Sequence, residues 1–163
     1  MDPLREMFHH HAWATLTLID HCNSLPPEPL HEAVPGTYGA ILNTLTHLVG
    51  ADQRYLDGLT GEPPESPIRP GEVLPLADLR RRFEMQVRRW EALLDRVEQL
   101  DVTLPARGSW PETRHAQNLF LLQAIHHGND HRTHICTMLS VQGLEPPDID
   151  GWSYWAATYQ PGV

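Results

Sequence analysis

Residues 76–100, LADLRRRFEMQVRRWEALLDRVEQL, carry the pattern that decides the fold. Leu76, Leu79, Phe83, Val87, Trp90, Leu94, Val97 and Leu100 recur at intervals of three and four. That spacing puts them on one face of a helix, with arginines and carboxylates filling the other faces. A stripe of this length predicts a long bundle helix that runs to Leu100.

Three more helices follow from the same reasoning. Upstream, Leu4, Phe8, His11, Thr15, Leu18 and Cys22 form a stripe that stops before the proline-rich NSLPPEP. A second helix should begin after Thr37, as N-cap, and continue to about Leu59. Next comes TGEPPESPIRPGEVLP, residues 60–75, whose prolines and glycines predict an irregular connection. VTLPARGSWPETRH, residues 102–115, is a second connection, with a brief extended turn expected around Leu104 to Trp110. The fourth helix should span Ala116 to Gln142 and end at Gly143. A tail with two Trp and two Tyr should dock on the domain. The expected fold is all-α, one domain over residues 1–163, a four-helix bundle with longish connections and a docked aromatic C-terminal tail.

Composition narrows the function. The formal charge is −9, with 12 Arg and no Lys. A net acidic chain repels polyphosphate, so nonspecific nucleic-acid binding is disfavoured. The cluster Arg80, Arg81, Arg82, Arg88 and Arg89 is interspersed with acids and reads as a solvated helix face. No apolar run approaches the roughly 20 residues that span a bilayer. MDPLREMF lacks the apolar run of a signal peptide, and Cys22 and Cys136 suggest no paired framework. A cytoplasmic protein is expected, with both thiols reduced and packed as small core residues.

The chemistry concentrates in the fourth helix. Phe120, Ala124, His127, His131, His134, Met138 and Val141 form its three-four stripe, with histidines in the middle. His127 and His131 stand one turn apart and can converge on one divalent ion. His126 lies about 100° round the helix from His127 and need not share its role. The alternative is a set of hydrogen-bonded core histidines, which must then be neutral, since cationic rings buried together repel. A zincin helix carries a glutamate after its first histidine; Gly128 stands there, which argues against that protease class. No P-loop, dinucleotide fingerprint, Gly-x-Ser-x-Gly elbow or Cys-x-x-Cys is present. A third ligand must come from elsewhere. His47 has Ala40, Thr44 and Ala51 as wheel neighbours, which would let another helix approach, but the wheel alone does not separate it from His11 or His21.

LNTLTHLVGADQRYL (residues 42–56) together with LLQAIHHGNDHRTHICTMLSVQG (residues 121–143) resembles the DinB/YfiT-like superfamily of metalloenzymes. MFHHHAWATLTLID, with Trp13, is similar to that family's first helix, and PPDIDGWSYWAA to tails of some members. The family carries a histidine in its second helix and His-x-x-x-His in its last long one, commonly followed by Arg-Gly-Gln. Here Thr133 and His134 replace the glycine and the glutamine. The resemblance implies a four-helix bundle, often a homodimer, with a divalent metal, zinc or nickel, on His47, His127 and His131. It implies small-molecule chemistry: characterised relatives include thiol-dependent transferases and isomerases that use bacillithiol or mycothiol. A low-molecular-weight-thiol S-transferase or related hydrolase is therefore expected, with a thiol or an electrophile as substrate and His134 as candidate catalytic base, hydrogen-bond partner of the metal's water or ligands, or fourth ligand. The alternative is a noncatalytic metal-binding helical module acting in stress response or protein interaction. Ligation needs neutral imidazoles, so metal affinity should fall below about pH 6.5.

Overall fold

A computed structural model describes residues 2–64, 66–106, 108–109 and 111–160. The described chain is all-α, with no strand among those residues. Helix α1 (Pro3–Asn23) opens on Asp2, whose carboxylate accepts the Leu4 N–H at 3.0 Å, with Pro3 in the first turn. Helix α2 (Ile41–Thr60) closes on Gly61, held at φ 69°, where a side chain would be strained. Helices α3 (Leu76–Leu94) and α4 (Ala116–Val141) follow, and a short α5 (Gly151–Tyr159) ends the described chain. No helix among the described residues is long and apolar enough to cross a membrane.

Three expectations about boundaries need correction. Thr37 does not cap α2: its hydroxyl donates to the Val34 carbonyl at 2.7 Å, and the helix begins after Ala40. Helix α3 ends at Leu94 instead of Leu100. The apolar spacing of three beyond it suits a 3₁₀ turn equally well, and Val97–Gln99 forms one. Val97 and Leu100 still pack against the core from that turn. The extended turn in the second connection pairs Leu104 with Thr113, while Trp110 lies outside the described residues.

Helix α2 packs most extensively against α4, and α1 against α3; α2 also packs on α3, and α1 on α4. The apolar core divides in two. Leu18, Ile19, Ile41, Leu45, Phe83, Ile135, Met138 and Leu139 fill one part. Phe8, Leu56, Leu59, Trp90, Leu93, Leu121 and Ala124 fill the other. The irregular 60–75 connection is tied down on α2: the Ile68 N–H donates to Gln53 Oε1 at 3.0 Å and the Leu74 N–H to Thr46 Oγ1 at 3.2 Å. Helix α5 lies on α1, where both Tyr154 and Tyr159 hydroxyls donate to Glu6. Tyr154 is buried there, whereas Trp152 is 85% exposed.

Helix α4 is rotated relative to its expected stripe. Its buried residues are Ala116, Leu121, Ala124, Gly128, His131, Arg132, Ile135, Met138 and Leu139. Val141 is exposed, and His127 and His134 lie at the flank of the buried face. The displacement has a cause in Arg132, a charged residue that the core accepts because its partners are buried with it.

Candidate metal centre

Those partners form a polar clasp between the two apolar clusters. His11 meets Phe83 of one cluster and Phe8 of the other edge-on, at ring-centroid distances of 5.8 and 6.3 Å. Arg132 Nη1 donates to His11 Nδ1 and to Thr15 Oγ1, each at 3.0 Å. An arginine only donates, so His11 Nδ1 must be the acceptor and Nε2 must carry the proton. That Nε2–H donates to Asp52 Oδ1 at 3.2 Å, and the Trp90 indole N–H donates to Asp52 Oδ2 at 2.8 Å. One or two residues from each of α1, α2, α3 and α4 thus meet in a cluster whose members are all nearly inaccessible to solvent. Burial holds the His11 pKa below the usual imidazole value and pushes the Arg132 guanidinium down to about 10. The clasp needs closeness: a Cβ at Gly128 would stand 2.4 Å from His11 Cε1 and 2.6 Å from its Nδ1.

With α2 and α4 drawn together, three imidazoles meet at their flank. His47 Nε2 lies 3.0 Å from His127 Nε2, which lies 3.0 Å from His131 Nε2. All three ligand atoms fall within 4.8 Å of one another. An imidazole nitrogen has one in-plane position, filled by a proton or a lone pair, so His127 Nε2 can bond only one of its two neighbours. Three such atoms aimed at a common point therefore cannot satisfy one another, whereas a cation accepts all three lone pairs. Nitrogen ligands about 2.0–2.1 Å from a tetrahedral ion stand about 3.3 Å apart, close to the spacing found. The donor set fits a divalent metal.

Electrostatics favour the neutral, ligating form. Burial first, then the neighbouring charges, push His127 and His131 down to about 4. His47 is lowered by burial and by the Arg54 charge. Aromatic rings frame the group: Tyr38 stacks on His47 at 4.0 Å and meets His131 edge-on at 5.0 Å, and Tyr55 meets His127 edge-on at 5.7 Å.

The remaining histidines sort clearly. His126 is exposed. His11 belongs to the clasp, and His21 is outside the group of three. His134 also stands outside it, with its ring 5.7 Å from that of His131 and its Nδ1 buried without a partner among the described residues. Cys22 is buried, which raises its thiol to about 12, and Cys136 is half-buried, so both are poor nucleophiles. Sequence reading did not single out Tyr38 or Asp52, took Trp90 for an apolar core residue and Gly128 only for an absent glutamate, and gave Arg132 no role beyond its match to the family's arginine. A carboxylate within the apolar half of α2 and an arginine directly after a ligand-like histidine were the available signals.

A search of curated proteins finds no match for the chain. A family model described as DinB family matches residues 1–162, essentially the whole sequence. The order of the histidines, one on α2 and two on α4, agrees with that match, and the chain belongs to the DinB family.

Proposed function

We propose that this protein is a divalent-metal-dependent enzyme of the DinB/YfiT-like four-helix type, one domain over residues 1–163 with α5 as its docked tail. It acts in the cytoplasm as a low-molecular-weight-thiol S-transferase or related hydrolase. The convergence of three Nε2 atoms that cannot satisfy one another carries the reading. His47, His127 and His131 would hold the ion, with zinc or nickel best suited to three neutral imidazoles. When bound, the ion supplies Lewis acidity that lowers the pKa of a thiol or water at its open position.

The chain's own residues do the rest. The clasp fixes α4 against α1 and α2, so the three rings are oriented before any ligand arrives. Tyr38 and Tyr55 shield two sides of the group from bulk water. His134 is the proposed base: the thiol S–H proton passes to its imidazole, sulfur bonds to the electrophilic carbon, and the leaving group departs with its electron pair. The position of His134 outside the group of three supports this over a closed four-ligand site, which a noncatalytic module would use.

A homodimer is proposed as well. Met7, Ile125, Tyr154 and Trp155 line an apolar groove of about 640 Å³, and the exposed Leu122 lies one turn before Ile125. Such a surface is suited to association.

Elemental analysis of protein purified without a histidine tag, after incubation with zinc or nickel, tests the centre. About one equivalent in the wild type and near none in His127→Ala is expected. Negligible metal in both would remove the site. With a loaded protein, no turnover of bacillithiol, mycothiol, glutathione or cysteine with an electrophile would remove the transferase reading.

A further inference from the structure

The ligand histidines have a charged neighbour that neither the clasp nor the proposed chemistry uses. Arg54 follows His47 by seven residues, which is about two turns, so both leave α2 on nearly the same line. Gly50 lies between them on that face. A Cβ there would come within 3.3 Å of Arg54 Nη1 and 3.2 Å of Ile68 Cγ2. The missing side chain therefore forms a notch. Arg54 folds back into it, toward His47, instead of extending away along the helix. The buried Ile68 side chain flanks the notch, and the Ile68 backbone is pinned by Gln53.

Arg54 is exposed, and no ion pair among the described residues matches its charge: Asp57, three residues on along α2, feels that charge but pairs with Arg89 at 3.1 Å. Among the described residues the arginine ion pairs engage Arg5, Arg80, Arg81, Arg89 and Arg114, and none engages Arg54. This occurs in a chain with 21 acidic and 12 basic residues. Asp130, next to His131 on α4, is the acidic group felt at the site, and it makes no ion pair with Arg54. The Arg54 charge reaches both His47 and His127, lowering each. A cation beside a cation-binding group opposes metal binding unless an anion spans the two.

We propose that Arg54 anchors a carboxylate, or a similar anionic group, on the thiol whose sulfur approaches His47, His127 and His131. The inference rests on the metal-site reading above and names the substrate class: small thiols carrying a negative charge a few bonds from sulfur. Arginine suits this role because its planar fork pairs with both carboxylate oxygens.

Cobalt(II)-loaded protein provides the test, with the thiolate-to-cobalt absorption band as readout. Three thiols of matched length are titrated: 3-mercaptopropionate, 3-mercaptopropan-1-ol and 3-aminopropane-1-thiol. The wild type should bind the carboxylate about tenfold more tightly than the alcohol, and the amine least tightly. Arg54→Gln should erase that preference and leave the Kd for the alcohol unchanged within about twofold, while Arg54→Lys keeps part of it. Equal affinities in the wild type would overturn the assignment, as would a preference surviving in Arg54→Gln. Loss of cobalt from Arg54→Gln would also overturn it, by making Arg54 part of the scaffold. If the wild type takes up no cobalt, the metal reading falls and this inference with it. Cobalt uptake and binding of the neutral thiol without charge preference defeat only the inference.

Discussion

Gly128→Ala should destabilise the protein, although helix propensity alone says the reverse. In the middle of a helix, alanine is favoured over glycine by about 0.8–1.0 kcal/mol. Gly128 sits well inside α4, so a purely local argument predicts a more stable variant. The added Cβ, however, would lie 2.4 Å from His11 Cε1 and 2.6 Å from His11 Nδ1. His11 cannot simply swing away, because Asp52 and Arg132 hold its two nitrogens and Phe8 and Phe83 flank its ring. Overpacking of this kind costs about 1–3 kcal/mol. Weakening a buried hydrogen bond to a charged partner adds about 1.5–3 kcal/mol. After the propensity gain, the net loss is about 1.5–5 kcal/mol, which at this chain length corresponds to a fall in Tm of about 3–20 °C. Urea unfolding of metal-free protein, followed by circular dichroism, measures it. Gly151→Ala is the control: a Cβ there meets nothing within 4 Å, so that variant should be neutral or slightly stabilised. A Gly128→Ala protein as stable as the wild type would refute the claim that the clasp is rigid.

Acidification of the metal-free protein should lower its stability. The unfolded chain has histidines near 6.5, whereas His127 and His131 sit at about 4 in the fold and His47 and His11 are also lowered. Between those values the unfolded state binds more protons, so stability rises with pH and is lost as pH falls from about 6.5 toward 4. Urea midpoints from pH 7.5 to 4.5 check the sign, and a flat or rising midpoint on acidification would contradict the burial argument. Leu122→Asp should shift a dimer to monomer in light scattering while leaving the helix content intact, because Leu122 is 57% exposed. A wild type that is monomeric at tens of micromolar protein would remove the dimer proposal.

The legibility of this protein in its sequence follows the range of the interactions. Leu79, Phe83, Trp90 and Leu94 share a face through local periodicity, and all four are buried. His127 and His131 are one turn apart, so their pairing is local too. His47 could not be separated from His11 by wheel geometry, because which α2 face meets α4 depends on the whole assembly. The family resemblance made that choice, and the three rings do lie together. The clasp was hidden for a physical reason: periodicity reports burial and says nothing of the partner. It placed His11 and Thr15 correctly on the inner face of α1. It could not show that Arg132 would be drawn inward to meet them, and so it set the α4 core face on the histidines instead. Tyr38 precedes α2 in an irregular segment, where no repeat reports its position.

The clasp also bears on how the protein loses its fold. Its bonds join residues 38, 41, 117 and 121 positions apart, so the complete network requires all four long helices to be assembled. Contacts of such separation carry a large loop-closure entropy and tend to form after local helix pairing. Interactions absent from the folding transition state act almost wholly on the unfolding rate. The clasp is therefore expected to work as a latch in time: it adds little to how fast the chain folds and much to how long it stays folded.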